Sequence, residues 1–196
     1  MSGAPGLRER QAQLARDSMI DVLLDALEAG EEEVPMTELA RRAGVSRRTL
    51  YRYFGSRDEL TAAAAARLYE GEGALPTRIE GADDLVDNFR RSTAISLRRP
   101  ALARALLSTP EGKAVRGRIM PERSASIESA LAEIWDGLSG EERRHALAIV
   151  RMLCSARSWV SLLDDQGIPP EEGMEAVAWA LEVILDHLRS ASSTSA

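Results

Sequence analysis

The chain has 196 residues, enough for one large domain or two small ones. Hydrophobic residues make up 44% and charged residues 29%, a balance that excludes a disordered chain. With a net charge of −6 it is no general polycation, and its single cysteine (Cys154) and two histidines (His145 and His187) exclude an intrachain disulfide and a zinc site rich in either residue.

The longest strongly apolar stretch, 146–154, is interrupted by Arg151 and is far shorter than the ~20 residues of a membrane span. Arg8, Glu9 and Arg10 stand where a signal peptide would need an apolar run. A cytoplasmic chain with no membrane partner is therefore expected. No run alternates as a strand does, and apolar residues recur at helical spacing, so the expected fold class is all-α.

In chain order, the spacing predicts a first helix over 8–29, apolar at Leu14, Ile20, Leu23, Leu24 and Leu27, with Gly30 as its left-handed cap. The acidic run 31–33 follows as a loop. Three short helices are predicted next: 36–43, 46–53 with Ser46 as N-cap, and a third from Ser56 to about Tyr69. Ser56-x-x-Glu59 there fits a capping box. Gly71, Gly73 and Pro76 mark a loop, dividing the chain into domains 1–70 and 71–196. Beyond it helices are predicted over 83–98 and 101–108, from near Lys113 with a kink or restart at Pro121, and over 122–138. One central helix is expected over 141–165, opened by Ser139-x-x-Glu142 and nearly apolar all round in its middle, then a last helix over 171–189. Residues 190–196 read as a disordered Ser/Ala tail.

The segment 36–57, MTELARRAGVSRRTLYRYFGSR, carries the chemistry. Ala40 suits the close packing of two helices, Gly44 the turn between them, and Val45, Leu50 and Phe54 the seat of the second helix. Residues 41–57 hold six arginines (Arg41, Arg42, Arg47, Arg48, Arg52 and Arg57) and no acid. On an acidic chain, that is a localised site for a polyanion. Arginine on such a helix can pair with guanine O6 and N7, worth ~1–3 kcal/mol of discrimination each. Arg41 and Arg42 read as solvated or distant contributors.

GVSRRTLYRYF followed by SRDEL resembles the N-terminal signature of the TetR family of one-component transcriptional regulators. The motif covers roughly 34–60, and the likeness in architecture extends over the whole chain. It implies an N-terminal three-helix DNA-binding domain, joined by a connecting helix to a helical effector-binding and dimerisation domain. It further implies a ligand-responsive regulator, a repressor of a pseudo-palindromic double-stranded DNA operator, acting as a homodimer. The positions matching the family's DNA contacts are Thr37, Ser46, Arg47, Arg48, Thr49, Tyr51, Arg52, Tyr53 and Arg57. Pro35 stands where the family often has a threonine that caps the helix and binds phosphate.

Inward faces of the C-terminal half suggest a pocket of Asn88, Phe89, Thr93, Leu131, Ile134, Met152 and Ser155, and hence a largely apolar small-molecule effector. The last two long helices are the expected dimer interface, through Trp159, Val177, Leu181, Ile184 and Leu185. Cys154 reads as a small buried hydrophobe. Glu31–Glu33 and the pair Asp164 and Asp165 lack histidine or calcium-loop spacing, so neither metal nor cofactor is expected. No catalytic constellation has a local signature. The alternative to a regulator is a helical protein-interaction module of the same fold without specific DNA binding. An enzyme comes third.

Overall fold

A computed structural model describes residues 6–31, 34–69 and 78–194. In α1 (Leu7–Glu28) the stripe Met19, Ile20, Leu23, Leu24 and Leu27 is buried, and Gly30 closes the helix at φ +80°. Three short helices follow: α2 (Met36–Arg42), α3 (Arg47–Tyr53) and α4 (Arg57–Tyr69). Gly44, at φ +66°, turns the chain between α2 and α3, a conformation in which a Cβ is strained. Leu39, Leu50, Phe54 and Leu60 are at most 2% exposed and lock these helices onto α1. Each such side chain contributes roughly 1.5–3 kcal/mol by burial.

The remaining helices are α5 (Asp84–Ser96), α6 (Pro100–Ser108), α7 (Pro110–Gly117), α8 (Met120–Ala132), α9 (Gly140–Leu153), α10 (Ala156–Gln166) and α11 (Pro170–Thr194). The described residues contain no strand. Two cores result. One joins α1–α4 to Leu102, Ala105 and Leu106 of α6 and Val115 of α7. The other gathers α5, α8, α9 and α11 around Phe89, Leu131, Val150 and Leu181. The first core thus recruits two helices from beyond residue 70. The expected loop of Gly71, Gly73 and Pro76, and residues 32–33 of the acidic run, lie outside the described residues.

Several boundaries differ from expectation. The helix expected from near Lys113 starts earlier: Pro110 and Gly112 form the first turn of α7, where Thr109 accepts from Gly112 N at 3.0 Å and proline's missing donor costs nothing. A Cβ on Gly112 would lie 2.1 Å from the Ala105 carbonyl oxygen, so glycine here lets α6 and α7 approach. The helix expected over 122–138 ends at Ala132. Turns through Ile134 and Leu138, followed by the capping box of Ser139 and Glu142, start α9 afresh. The single helix expected over 141–165 is broken at Cys154 and Ser155, with a 60° bend between α9 and α10. There Ser155 caps α10, and Ser158 Oγ donates back to the Leu153 carbonyl at 2.7 Å. Nor is α9 enclosed on every side within the protomer, as a central helix would be: Ile149 and Met152 are 41% and 46% exposed. The expected tail is helical as far as Thr194, extending α11. Among the described residues no single helix is long and apolar enough to cross a membrane.

Candidate functional site

The α2–α3 unit is fixed from within. Pro35 precedes α2 without a side-chain cap, and its carbonyl accepts from the amides of Glu38 and Leu39 instead. Ser46 caps α3, its Oγ accepting from Thr49 N at 3.0 Å and lying 2.9 Å from Thr49 Oγ1. These two hydroxyls, both expected at the interface, thus already bond each other. Thr37 is exposed at the start of α2.

The six arginines of 41–57 divide into two groups. Arg41 and Arg42 are tied to Glu38, and Arg42 also to Glu31 at 2.5 Å. Hydrogen bonds from Arg41 and then Arg42 hold the Glu38 carboxyl down at about 2. Arg57 turns inward. Its Nε donates to Glu111 on α7 at 2.8 Å, and its Nη1 donates to the Val34 carbonyl. Arg57, expected at a phosphate, is thus ion-paired in the DNA-free protein, with only 26% of its side chain exposed. Arg47, Arg48 and Arg52 carry no ion pair among the described residues, and all three are exposed. Arg47 lies over the Tyr51 ring at 5.4 Å and Arg52 over the Tyr53 ring at 5.3 Å. Stacking of this kind restrains a guanidinium without consuming its in-plane donors. Tyr53 is half-buried against the first core, whereas Tyr51 is exposed.

Behind this unit lies a cavity of about 90 Å³ between α4, α5, α6, α7, α8 and the α9–α10 bend. Of the expected pocket residues, Thr93 and Ser155 line it. Phe89 and Leu131 are instead packed in the second core, at 1% and 0% exposure. Ile134 sits half-buried in the turn after α8, and Met152 is 46% exposed. Asn88 stands behind the cavity, donating to the Arg78 carbonyl at 2.7 Å and accepting from Arg123 at 3.3 Å. The sequence reading missed Tyr69, Arg116, Arg123 and Arg151, all of which line the cavity. One signal was available: Arg123 precedes Ile127 by four and Leu131 by eight, on the inward stripe of α8. Burial pushes the Cys154 thiol up to about 12, so it is a poor nucleophile.

The expected dimer residues are also relocated. Val177, Leu181 and Leu185 are at most 4% exposed within the protomer's own core, and Ile184 packs beside them. Trp159, 2% exposed, is a wall of the cavity. What α11 presents to solvent is Trp179 and Val183, 66% and 49% exposed.

Residues 27–64 match the family model described as bacterial regulatory proteins, tetR family. An uncharacterized HTH-type transcriptional regulator of Mycobacterium tuberculosis strain H37Rv is 30% identical over 165 residues, covering 79% of this chain and 80% of that protein. The chain belongs to the TetR family. This TetR-family transcriptional regulator also resembles AlkX of M. tuberculosis, an HTH-type transcriptional regulator, at 36% identity over 85 residues (43% of this chain, 34% of AlkX). Its fold is that of a TetR transcriptional regulator from Rhodococcus sp. RHA1, with a TM-score of 0.52 and 23% identity over 88% of this chain and 97% of that one. A tetR-family regulator from Streptomyces coelicolor shares it, with a TM-score of 0.54 and 18% identity over 93% and 88%.

Proposed function

We propose that this TetR-family regulator is a homodimeric repressor that holds a pseudo-palindromic double-stranded DNA operator and is released from it by a small-molecule effector. The observation that carries the reading is the exposed face of α3. There Arg47, Arg48 and Arg52 have no ion pair among the described residues, on a helix seated by Leu50 and Phe54. Arg47, in the first turn, reads a base edge, while Tyr51, Thr37 and the remaining arginines bind the backbone and set register. Residues 1–70 then act as the DNA-binding domain and 71–196 as the effector and dimerisation domain.

Two recognition helices must sit about 34–36 Å apart, one turn of DNA. Trp179 and Val183, one turn apart on α11, form the exposed apolar face that a second copy covers. Helix α7 supports a route between cavity and DNA. Arg116 at its end lines the cavity, and Glu111 at its start holds Arg57 and Thr61 of α4 at 2.8 Å each. An effector that moves α7 therefore moves α4 and the spacing of the two α3 helices. It shifts the equilibrium only by its differential affinity for the two states.

The test is fluorescence anisotropy with the DNA upstream of the protein's own gene against random DNA of equal length. A repressor prefers the former by orders of magnitude. The alternative, an interaction module without specific DNA binding, shows no preference. The acid-free arginines of α3 weigh against it.

A further inference from the structure

Two side chains line the cavity with hydroxyls that bond nothing. Thr93, on α5, is 2% exposed, and its Oγ1 has no hydrogen-bond partner among the described residues. Tyr69, at the end of α4, is half-buried there, and its Oη likewise has none. Burial pushes the Tyr69 phenol above its ordinary range, against the opposing charges of Arg116 and Arg123, so it stays protonated and can donate. The neighbouring serines of α5 differ. Ser92 Oγ donates to the Asn88 carbonyl at 2.8 Å and Ser96 Oγ to the Ser92 carbonyl at 2.9 Å, so their protons are already placed on the helix. A hydroxyl buried without a partner costs free energy, which an occupant that brings an acceptor recovers.

The cations of the wall are engaged elsewhere. Arg151 is ion-paired with Glu128 at 3.0 Å, Arg123 donates to Asn88 Oδ1 and the Cys154 carbonyl, and half-buried Arg116 donates to Ser155 Oγ at 3.3 Å. Leu106, Ile127 and Trp159 add hydrocarbon. The volume of about 90 Å³ is smaller than the ~150 Å³ cavity that takes up benzene, and at the same packing it holds about four non-hydrogen atoms. A charged occupant of that size would give up water for hydrocarbon. A carbonyl oxygen instead accepts from two donors and brings no proton that needs a buried acceptor.

We propose that the cavity binds a short-chain ketone, its carbonyl oxygen accepting from Thr93 Oγ1 and Tyr69 Oη and its alkyl groups lying against Ile127 and Trp159. This refines the largely apolar effector expected from sequence, and it rests on reading this cavity as the effector site. Because Tyr69 ends α4, a ligand so held ties the helix that follows the α2–α3 unit to α5.

NMR titration of the full-length protein without DNA tests it, with acetone as the probe and the isosteric 2-propanol and acetate as comparisons. Trp159 is a wall of the cavity and Trp179 is exposed on α11, so binding in the cavity shifts the Trp159 indole signal saturably and leaves that of Trp179 in place. So small a ligand is expected to saturate in the millimolar range. Acetone should bind at least roughly fivefold more tightly than 2-propanol or acetate, and Thr93→Val and Tyr69→Phe should each weaken it roughly threefold to tenfold, as one lost hydrogen bond implies. Thr93→Val should melt no lower than the parent, since the hydroxyl it removes bonds nothing. A clearly lower melt would mean that Thr93 has a structural partner and would overturn the free hydroxyl. Acetate binding as tightly as acetone means that charge decides, and 2-propanol binding as tightly means that the carbonyl is not read; either overturns the ketone site. So does the absence of a saturable Trp159 shift, or acetone binding that neither variant weakens. Because DNA is absent, failure here leaves the repressor reading standing. Acetone that binds in this pattern but does not release the operator supports the site and contradicts its role as effector site.

Discussion

Replacing Glu111 by alanine separates α7 from α4 without touching the DNA-reading face. The Glu111 carboxylate accepts from Arg57 Nε and from Thr61 Oγ1, both at 2.8 Å, and the two ion-pair side chains are 11% and 26% exposed. An exposed pair contributes ~0.2–1 kcal/mol, whereas removing one partner of a buried pair costs ~3–5 kcal/mol. Partial exposure places this junction between those limits, at about 2 kcal/mol, the Thr61 hydrogen bond included. Urea unfolding of the parent, Glu111→Ala, Arg57→Ala and the double variant closes a cycle. A coupling of roughly 1–2 kcal/mol is expected. Glu111→Ala should also shrink the factor by which an effector weakens operator binding, since α7 would no longer carry Arg57 with it. If the two substitutions add within ~0.5 kcal/mol, the junction is not an energetic link and the route through α7 falls.

Arg47→Ala should cost ~1–3 kcal/mol of specific operator affinity and relax preference at one base position, read by anisotropy on a panel of operator variants. Trp179→Glu should yield folded monomers by light scattering and lose operator binding. Leu181→Glu should instead unfold the protomer, because Leu181 is 0% exposed inside it. Gly112→Ala should lower stability by about 2 kcal/mol or more in thermal melts, since its Cβ meets the Ala105 carbonyl and two helices must part.

Much of the fold is written in local signals. Gly44 at a positive φ, the Ser46 cap and the Ser139–Glu142 box each do what their residue types imply. What periodicity does not reveal is where a helix bends when apolar spacing runs through the break. Spacing from Ala146 to Leu163 is unbroken, yet Ser155 and Ser158 divert backbone bonds and turn the chain. Nor does periodicity separate a core from an interface. Leu181 and Trp179 are both apolar positions of α11, but one is sealed in the protomer and the other is open. The basic island was legible as composition, but its partition was not. Glu38 is local to Arg42, but the other acid on Arg42, Glu31, and the acid on Arg57, Glu111, lie 11 and 54 residues away, brought in by the fold.

That partition gives the most direct test of the DNA-binding account. Arg47, Arg48 and Arg52 are the cations of 41–57 without an ion pair among the described residues, and with Arg47 on a base edge a dimer sets four of them, Arg48 and Arg52 of each copy, against phosphates. At about −0.9 per neutralised phosphate, the slope of log K against log salt for operator binding should be close to −4. A slope near −9 would mean that Arg41, Arg42 and Arg57 leave their carboxylates for DNA, and a slope near zero would mean that α3 does not bind the DNA backbone at all.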